Sequence, residues 1–250
     1  MSKARRRTAR WLDEVGEFGF LSGLVTLRTA SRDVELGIGD DSAIVRVGRS
    51  RVLLTTDALI EGVHFRRRWD SPFGLGLRAF AVNASDIAAM GGRPRFALLS
   101  LAVPRRTRLA DLDGFVRGFV AAARASRCAL VGGNLSSSPL WMITVALVGE
   151  AQGTPLRRSG ARAGDRLYLS GSLGGAAFAR EILLGRRRGA EHGRRTLAFR
   201  RPKARLALGG LLARERAATA AIDVSDGLVQ DLGHLCAASG VGAVVEASRV

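Results

Sequence analysis

The sequence predicts an α/β (α+β) protein in which helices cover a mixed β-sheet. Three observations lead to this class: strand-like and helix-like segments alternate along the 250 residues, hydrophobic residues make up 47% of them, and residues 72–90 have the pattern of a helix with an almost wholly apolar surface. A helix of that kind is expected to be buried. Cys128 and Cys236 are isolated, so disulfide bonds are not expected, and the expected location is the reducing cytoplasm.

The elements of the first half follow from apolar periodicity and turn residues. Residues 1–15 form a basic tail, and a short helix is predicted over Glu17–Arg28. The apolar helix over 72–90 is followed by a second helix, which Thr107 is expected to cap. The predicted strands of this half are Ala43–Val47, Val52–Thr56, Arg95–Val103, Cys128–Val131 and Trp141–Val148.

A turn-rich segment suggests two domains. Arg157–Asp165 contains two glycines and three arginines and has neither a helical nor a strand-like pattern. We therefore predict an N-terminal domain over residues 16–153 and a C-terminal domain over residues 154–250.

The second domain is predicted to begin with a strand over Arg166–Ser170 and a glycine-rich turn. A helix that ends near Leu184 follows the turn, and the Arg-rich residues 186–201 are expected to form a surface loop. Two more helices and a short strand over Ala243–Glu246 complete the prediction.

The charge balance is strongly basic. Lys and Arg number 39 against 22 Asp and Glu, which gives a net charge of +17, and only Lys3 and Lys203 are lysines. A protein with this charge binds polyanions at least non-specifically. The sequence has no P-loop, because no Lys follows a G-x-x-x-x-G pattern. The longest uncharged run lies between Arg127 and Glu150, and its glycines and proline indicate a loop and a strand rather than a membrane span.

Six aspartates stand apart from the arginines: Asp40, Asp41, Asp57, Asp86, Asp223 and Asp226. Taken singly, Asp40 or Asp41 can end a turn, and Asp226 can cap a helix, with Ser225 as the rival cap. Asp86 lies within the apolar helix, where a carboxylate needs a partner or a metal ion. If several converge, two charges about 4 Å apart repel by roughly 4 kcal/mol at an effective dielectric constant near 20, which a divalent cation reverses. Oxygen ligands without a Cys or His set favour Mg²⁺ over zinc.

Three glycine groups suit a phosphate ligand as well as ordinary tight turns, because they allow the backbone to approach phosphate oxygens closely. They are Gly37 and Gly39, Gly132 and Gly133, and Gly171, Gly174 and Gly175. With the aspartates, they lead to the hypothesis of a Mg²⁺–nucleotide site without a P-loop.

Six motifs occur in order along the chain: GIGDDSAIV, TTDALIEGVHF, AVNASDIAAMGGRP, VGGN, RSGARAGD and AIDVSDGLVQDLGHL. Together they resemble the thiamine-monophosphate kinase family, of the superfamily that includes aminoimidazole ribonucleotide synthetase. The resemblance runs from Gly16 to about Val245, and TTD-x-L-I-E-G-V-H-F is the piece that is specific to the kinase. It implies a two-domain PurM-like architecture, in which the N-terminal domain binds ATP and Mg²⁺ and pairs with a second copy to make a homodimer.

The resemblance also implies ATP-dependent phosphorylation of thiamine phosphate to thiamine diphosphate, with several Mg²⁺ ions between the substrates. The positions that match Mg²⁺ ligands are Asp41, Thr55, Thr56, Asp57, Asp86, Asp223 and Asp226. His64 matches a position that contacts the substrate. Asn134, Arg158 and Ser225 match positions near ATP or its metal ions. Because the acceptor is already an anionic phosphate, no residue is assigned as a general base.

The chain departs from the family pattern at two points. Asn134 stands where many relatives have Asp, which keeps an oxygen ligand but loses a charge, so weaker Mg²⁺ binding is expected there. A later Gly-Gly-Glu-Asp motif, which contributes to the family's substrate pocket, is absent, so the C-terminal domain (154–250) is expected to be incomplete. The nucleotide half of the site is expected to be better preserved than the thiamine half.

Three alternatives stay open at this point. The first is another ATP-dependent enzyme of the superfamily, although the motif EGVHF favours the kinase. The second is a truncated chain that binds nucleotide without turnover. The third is a basic nucleic-acid-binding protein, favoured by the net charge and by the clusters Arg66–Arg68 and Arg186–Arg188. Scattered arginines, an aromatic content of 6% and no recognisable base-reading module favour incidental polyanion binding instead.

Overall fold

The computed structural model describes residues 31–188 and 193–246, together with residues 19 and 248. The predicted basic tail and, apart from Gly19, the predicted helix over 17–28 lie outside the described residues. The strands are β1 (Val34–Leu36), β2 (Ala43–Val47), β3 (Ser50–Ile60), β4 (Gly92–Val103), β5 (Ala129–Ser137) and β6 (Met142–Ala151). The helices are α1 (Pro72–Ala89), α2 (Leu109–Ala125), α3 (Gly175–Leu183), α4 (Leu197–Arg200), α5 (Leu206–Glu215) and α6 (Leu228–Ser239).

Within the described ranges, the strands form one mixed sheet in the order β1-β2-β3-β6-β4-β5. β4 and β5 pair in parallel, whereas the other neighbours are antiparallel. The pairing of β3 with β6 aligns Thr55 with Leu147 and Asp57 with Val145, which are both buried. Because side chains alternate between the two faces of a strand, Thr55 and Asp57 share the face that packs against the helices. The predicted mixed α/β fold is confirmed.

The core lies between this face of the sheet and the pair α1 and α2. Buried aliphatic side chains of β3, β4 and β6 pack beneath the two helices. Phe80 of α1 meets Phe119 of α2 edge to face, with ring centroids 5.5 Å apart. The absence of a side chain at Gly118 lets the two helices approach closely. A Cβ there would lie only 1.9 Å from the carbonyl oxygen of Phe73, so this position requires glycine.

The apolar helix predicted over residues 72–90 is confirmed as α1. Ser71 caps it, since its hydroxyl accepts the N–H of Gly74 at 3.1 Å, and Pro72 occupies the first helical position. The predicted cap of α2 is wrong. The cap position is Arg108, so Thr107 lies one residue too early for its hydroxyl to reach the first turn.

Two predicted strands in the second half are wrong. Residues 166–170 and 243–246 pair with no described strand, and Leu167, Tyr168 and Val244 are exposed. A strand persists only where a neighbour accepts and donates its backbone hydrogen bonds, so an apolar, strand-like pattern does not suffice. The helix predicted to end near residue 184 is confirmed as α3, and the two later helices are α5 and α6.

The predicted surface loop over residues 186–201 is only partly correct. A 3₁₀ turn over Arg194–Thr196 leads into the short helix α4, and the side chain of Arg200 is buried. Arg200 donates to Asp70 at 2.9 Å, and Phe199 packs edge to face on Trp69. These long-range contacts hold the segment against the N-terminal layer.

α5 joins the second half of the chain to the first. A Cβ at Gly209 would lie 1.9 Å from the carbonyl oxygen of Ala88 at the end of α1, so the two helices are in direct backbone contact there. The loop after β6 and the loop before α6 also contact the C-terminal part of α1, because the N–H of Leu156 donates to the carbonyl oxygen of Met90 at 3.1 Å and Ser85 hydrogen-bonds to Asp223. No helix among the described residues has the length and apolarity needed to cross a membrane.

Candidate active site

The GDD segment meets the loop that follows β6. Asp40 and Asp41 lie directly before β2, and their side chains are only 5% and 1% exposed. Arg158 donates from Nε to Asp41 Oδ1 at 3.1 Å, and its Nη2 contacts the same oxygen. The backbone N–H of Arg158 donates to Asp40 Oδ2 at 3.1 Å. Ser239 of α6 holds this loop by donating to the carbonyl oxygen of Arg158 at 2.8 Å. A residue predicted to lie near ATP is therefore bonded to a predicted metal ligand.

β3 and α1 bring a second group of oxygen atoms together. The Thr55 hydroxyl donates to Asp86 Oδ2 at 2.6 Å, which links the strand to the buried helix. Asp57 lies on the same face of β3. Beyond the effect of burial, the charge of Asp57 helps to raise the pKa of Asp86 and of Asp223, so all three carboxylates are neighbours.

Asp223 reaches this group from the loop before α6. Ser85, which precedes Asp86 on α1, hydrogen-bonds to the Asp223 carboxylate. The buried Asp231 shapes the same loop, because its Oδ2 accepts the backbone N–H groups of residues 225–227 at 3.0–3.1 Å. We call the whole group the carboxylate cluster, and its members are Asp40, Asp41, Asp57, Asp86 and Asp223.

The carboxylate cluster holds too much negative charge for its surroundings. Burial raises the pKa of Asp41 to about 7 and that of Asp86 to about 8, and the charge of Asp223 adds to both effects. Burial also raises the pKa of Asp40 and of Asp223. The hydrogen bond from Arg158 opposes the rise at Asp41. One guanidinium therefore does not compensate the cluster, although the chain as a whole carries a charge of +17.

The carboxylate cluster suits a hard divalent cation. Its ligand atoms are all oxygens, which Mg²⁺ prefers, and Asp41 Oδ2 is buried without a hydrogen-bond partner among the described residues. In the arrangement described, no three His, Cys, Asp or Glu side chains of the described residues are grouped so that they could hold one ion. Arg158 and Thr55 instead hydrogen-bond to Asp41 and Asp86. The residue types fit Mg²⁺. For an ion to bind, Arg158 must release the Asp41 carboxylate and Thr55 must release the Asp86 carboxylate.

His64 lies in the turn that follows β3. Its Nδ1 accepts the N–H of Ile60 at 3.0 Å, so the neutral ring carries its proton on Nε2, and the side chain is exposed. An exposed Nε2–H can donate to an anionic oxygen of a substrate. The local fold therefore orients His64 in a way that is compatible with its predicted contact to substrate.

Thr56 and Asn134 face the opposite side of the sheet from the carboxylate cluster. The Thr56 hydroxyl donates to the carbonyl oxygen of Val145 at 3.0 Å. The register aligns Asn134, across β4 and β6, with Ala58 of β3. Three strand spacings separate β5 from β3, which is about 14 Å. Within one chain, neither of these two side chains is brought to the other predicted aspartate and threonine ligands.

Ser225 and Asp226 lie in the loop before α6, and both are exposed. Asp226 Oδ2 accepts from Gln230 Nε2 at 2.9 Å. α6 begins after Gly227, which makes no side-chain cap, so the interpretation of Asp226 or Ser225 as the helix cap is wrong. The loop is held instead by the three N–H groups bonded to Asp231.

The glycine pair of VGGN has a packing role. A Cβ at Gly133 would lie 1.8 Å from the carbonyl oxygen of Leu99 on β4, whereas one at Gly132 would meet only Leu98 Cδ2 at 3.4 Å. The sheet therefore requires glycine at position 133 whether or not a phosphate approaches. Gly174, which has a φ of +79°, turns the chain into α3.

Sequence reasoning left three contributors out of the predicted site. Asp40 anchors the backbone of Arg158, and Ser85 hydrogen-bonds to Asp223. Asp231 orders the loop that carries Asp223. Two of them left a signal in the sequence. Asp40 is one of the six aspartates that stand apart from the arginines, and Asp231 lies four residues after Gly227, in the first turn of α6, where a carboxylate can accept free backbone N–H groups.

Two family profiles match the chain in succession. Residues 39–151 match "AIR synthase related protein, N-terminal domain", and residues 162–250 match "AIR synthase related protein, C-terminal domain". The two matches include every residue of the carboxylate cluster.

Individual relatives match over nearly the whole chain. Thiamine-monophosphate kinase of Aquifex aeolicus (strain VF5) is 40% identical over 232 residues, which cover 92% of this chain and 73% of the relative. Thiamine-monophosphate kinase of Mycobacterium tuberculosis (strain CDC 1551 / Oshkosh) is 38% identical and covers 92% and 68%. A solved structure, "AaThiL complexed with AMPPCP and TMP", has a TM-score of 0.83 at 38% identity and covers 93% and 73%. The chain therefore belongs to the thiamine-monophosphate kinase family.

Proposed function

We propose that this chain catalyses the ATP-dependent phosphorylation of thiamine phosphate to thiamine diphosphate, assisted by Mg²⁺ in the carboxylate cluster. The observation that carries the proposal is the approach of five aspartates from the segment before β2, from β3, from α1 and from the loop before α6, in a chain of this family. The solved relative that binds AMPPCP and TMP supports both substrate classes. In the reaction, an oxygen of the thiamine phosphate attacks the γ-phosphorus, and the bond to the bridging oxygen breaks, so ADP leaves with the electron pair.

The residues of this chain contribute mainly positioning and charge. Because the attacking phosphate is already anionic, the chemistry needs no strong base, and His64 Nε2–H serves to orient the acceptor. Arg158 is placed to pair with a nucleotide phosphate after it leaves Asp41, since both groups are acceptors for the same guanidinium. Asp231 and Ser85 hold Asp223 in place as positioning residues.

Asp41, Asp57, Asp86 and Asp223 would hold Mg²⁺, which would supply charge neutralisation and alignment for the transferred phosphoryl group. The raised pKa values of Asp41 and Asp86 support this assignment, because buried carboxylates that repel one another gain most from a bound cation. Thr55 is assigned as a ligand beside Asp86, to which it already donates. Asp226 is exposed and is assigned as an outer ligand only.

A homodimer is part of the proposal. The face of the sheet opposite the helices carries large apolar side chains that are 38–46% exposed, namely Leu54, Phe96, Leu98 and Met142. Contiguous exposed apolar surface of this kind marks an interface in a monomeric fold. Thr56 and Asn134 lie on the same face. Pairing of two sheets through this face would bring the Thr56 and Asn134 positions of two copies towards one another and account for their distance within one chain. A cytoplasmic location agrees with the use of ATP and with the two free cysteines.

The test is an assay for ADP with the full chain, with and without thiamine phosphate, in Mg²⁺ and then in EDTA. ADP formation that needs both thiamine phosphate and Mg²⁺ is the expected result. Asp57→Asn is the matched variant, because it removes a charge from the cluster at an exposed position and leaves the shape of the side chain unchanged.

Three other outcomes are informative. A Mg²⁺-dependent thermal shift with AMPPCP but no turnover would contradict kinase activity and would retain nucleotide binding. ADP formation that is independent of thiamine phosphate would point to a different acceptor within the superfamily. Retention on DNA that disappears at moderate salt would mark the basic charge as incidental to function.

A further inference from the structure

A second cavity lies apart from the carboxylate cluster and has a different chemistry. Its volume is about 170 Å³, and it is enclosed by the 3₁₀ turn over Arg67–Trp69, the N-terminal ends of α1 and α2, and α4. None of the cluster aspartates lines it. We call it the arginine–aromatic cavity, after Trp69, Arg78, Trp141, Phe199 and Arg200, which form its wall.

Four buried donor groups of this wall have no hydrogen-bond partner among the described residues. They are the indole Nε1 atoms of Trp69 and Trp141 and the guanidinium Nε atoms of Arg78 and Arg200. Trp69, Trp141 and Arg200 are 4%, 1% and 8% exposed. A buried donor without an acceptor costs about 1–3 kcal/mol, so four of them around one cavity point to an acceptor-rich occupant.

The charges of the wall favour an anion. Four arginines and two aspartates line the cavity; Asp70 is paired with Arg200 and Arg201, and Arg67 is paired with Glu61 at 3.1 Å, which leaves Arg66 and Arg78 against Asp111. Arg78 lies over the ring of Phe199 at 3.9 Å, and burial lowers the pKa of its guanidinium to about 10, which still leaves it charged at neutral pH. Asp111, at the start of α2, is the second carboxylate of the wall.

The size and the walls of the cavity favour a single aromatic ring. Phe65, Leu75 and the tryptophans provide apolar surface, and the Trp69–Phe199 pair meets edge to face with centroids 5.8 Å apart. A cavity of roughly 150 Å³ holds one benzene molecule. A volume of 170 Å³ thus leaves room for a ring with a small planar head, and a guanidinium binds a carboxylate head with two parallel hydrogen bonds.

We propose that the arginine–aromatic cavity is a binding site for a small aromatic carboxylate, separate from the site of phosphoryl transfer. The ring lies between the aromatic side chains, and its carboxylate accepts from Arg78 and from the indole N–H groups. Every residue that carries the proposal lies outside the carboxylate cluster, and the point of contact with the kinase site is Arg78 Nη1, which donates to the backbone carbonyl oxygen of His64 at 3.0 Å.

The test compares three ligands of one shape and different charge: benzoate, the neutral benzamide and the cationic benzamidine. They are titrated into the full chain without nucleotide or metal, and binding is measured by calorimetry and by the quenching of tryptophan fluorescence. Two of the three tryptophans, Trp69 and Trp141, belong to the wall. Benzoate is expected to bind at least tenfold more tightly than benzamide, and benzamidine is expected not to bind.

Four variants separate the charge of the cavity from its shape. Arg78→Met is expected to weaken benzoate binding at least tenfold, and Asp111→Asn to strengthen it severalfold. Leu75→Phe fills the cavity without changing its charge and is expected to abolish binding, which keeps the proposal testable if Arg78→Met fails to fold. Arg117→Met is the control, because this exposed arginine of α2 does not line the cavity.

Equal affinities for benzoate and benzamide would overturn the assignment of an anion site. Unchanged benzoate affinity in both Arg78→Met and Leu75→Phe would overturn the location. Displacement of benzoate by thiamine phosphate or by Mg²⁺–ATP would overturn the separation of this cavity from the site of phosphoryl transfer.

Discussion

Replacing Arg158 by Gln tests whether one guanidinium partly neutralises the carboxylate cluster when no cation is bound. The side chains of Arg158 and Asp41 are 20% and 1% exposed, so the pair is largely removed from water. Breaking a buried pair by removing one partner costs about 3–5 kcal/mol. Because burial already raises the pKa of Asp41 to about 7, the remaining carboxylate takes up a proton near neutral pH. This proton uptake reduces the expected loss to about 2–3 kcal/mol.

The assay is thermal unfolding in EDTA at pH 7, followed by Mn²⁺ titration monitored by electron paramagnetic resonance. For a chain of this size, we expect the unfolding midpoint of Arg158→Gln to fall by roughly 4–12 °C. We also expect tighter binding of Mn²⁺ in the absence of nucleotide, because the ion no longer has to displace the guanidinium. Binding of Mg²⁺–ATP should become weaker, because the phosphate loses its partner.

Arg157→Gln is the matched control. This neighbouring arginine pairs with Glu35 at 2.7 Å, outside the carboxylate cluster, and is 34% exposed. Its loss should cost under about 1 kcal/mol and change Mn²⁺ affinity much less than Arg158→Gln does, because Arg157 acts on the cluster only through its charge at Asp40. The reasoning would be refuted if both variants unfolded at the same temperature, or if Arg158→Gln bound Mn²⁺ no more tightly than the unchanged protein.

Three further predictions concern the cluster and the sheet. The pKa of Asp86 is about 8 in the folded chain and about 4 when unfolded, so the native state retains a proton that the unfolded state loses, and the stability of the metal-free protein falls as the pH rises from about 4 to 8. Asp86→Asn cannot ionise, so in EDTA its stability advantage should grow over that pH range, and a constant difference in urea midpoints would contradict this. Asp57→Asn should lose turnover and the Mg²⁺-dependent shift with AMPPCP while keeping its melting temperature in EDTA within about 2 °C, since an exposed substitution costs little; wild-type turnover would remove Asp57 from the site. Gly133→Ala should cost at least about 3 kcal/mol because its Cβ would meet the backbone of Leu99 at 1.8 Å, whereas Gly132→Ala, measured alongside by urea unfolding, should cost under about 1 kcal/mol.

The contrast between confirmed and wrong elements has a physical explanation. α1 could be predicted because Ser71, Pro72 and a continuous apolar surface are local signals for its start and its burial. The strands over 166–170 and 243–246 could not be judged in this way, because a strand depends on a distant neighbour that pairs with it. Arg200 was assigned to a loop for the same reason, since its burial depends on Asp70, which lies 130 residues away.

The candidate site likewise contains some residues that the sequence could identify and others whose position depends on the fold. Asp41, Asp57, Asp86 and Asp223 could be selected from the sequence, because carboxylates at strand ends and within an apolar helix are unusual in a basic chain. The local sequence does not show which face of β3 packs against the helices. Whether Thr55 or Thr56 lies on that face therefore could not be predicted. The register of β3 against β6 places Thr55 beside Asp86 and turns Thr56 away.

By itself, the sequence determined the class of the fold, the family and the oxygen-ligand chemistry of the site, because these depend on residue types, their order and their periodicity. Only the tertiary structure decided that Arg158 rests on Asp41, that Asp231 orders the loop carrying Asp223, and that the N–H donors of two tryptophans and two arginines surround one cavity. The physical reason is that burial and pairing are properties of the packed chain. A carboxylate or a guanidinium acquires its charge environment from residues that are more than a hundred positions away, as in the pairs Arg158–Asp41 and Arg200–Asp70, and that environment exists only when the sheet and its helices have assembled.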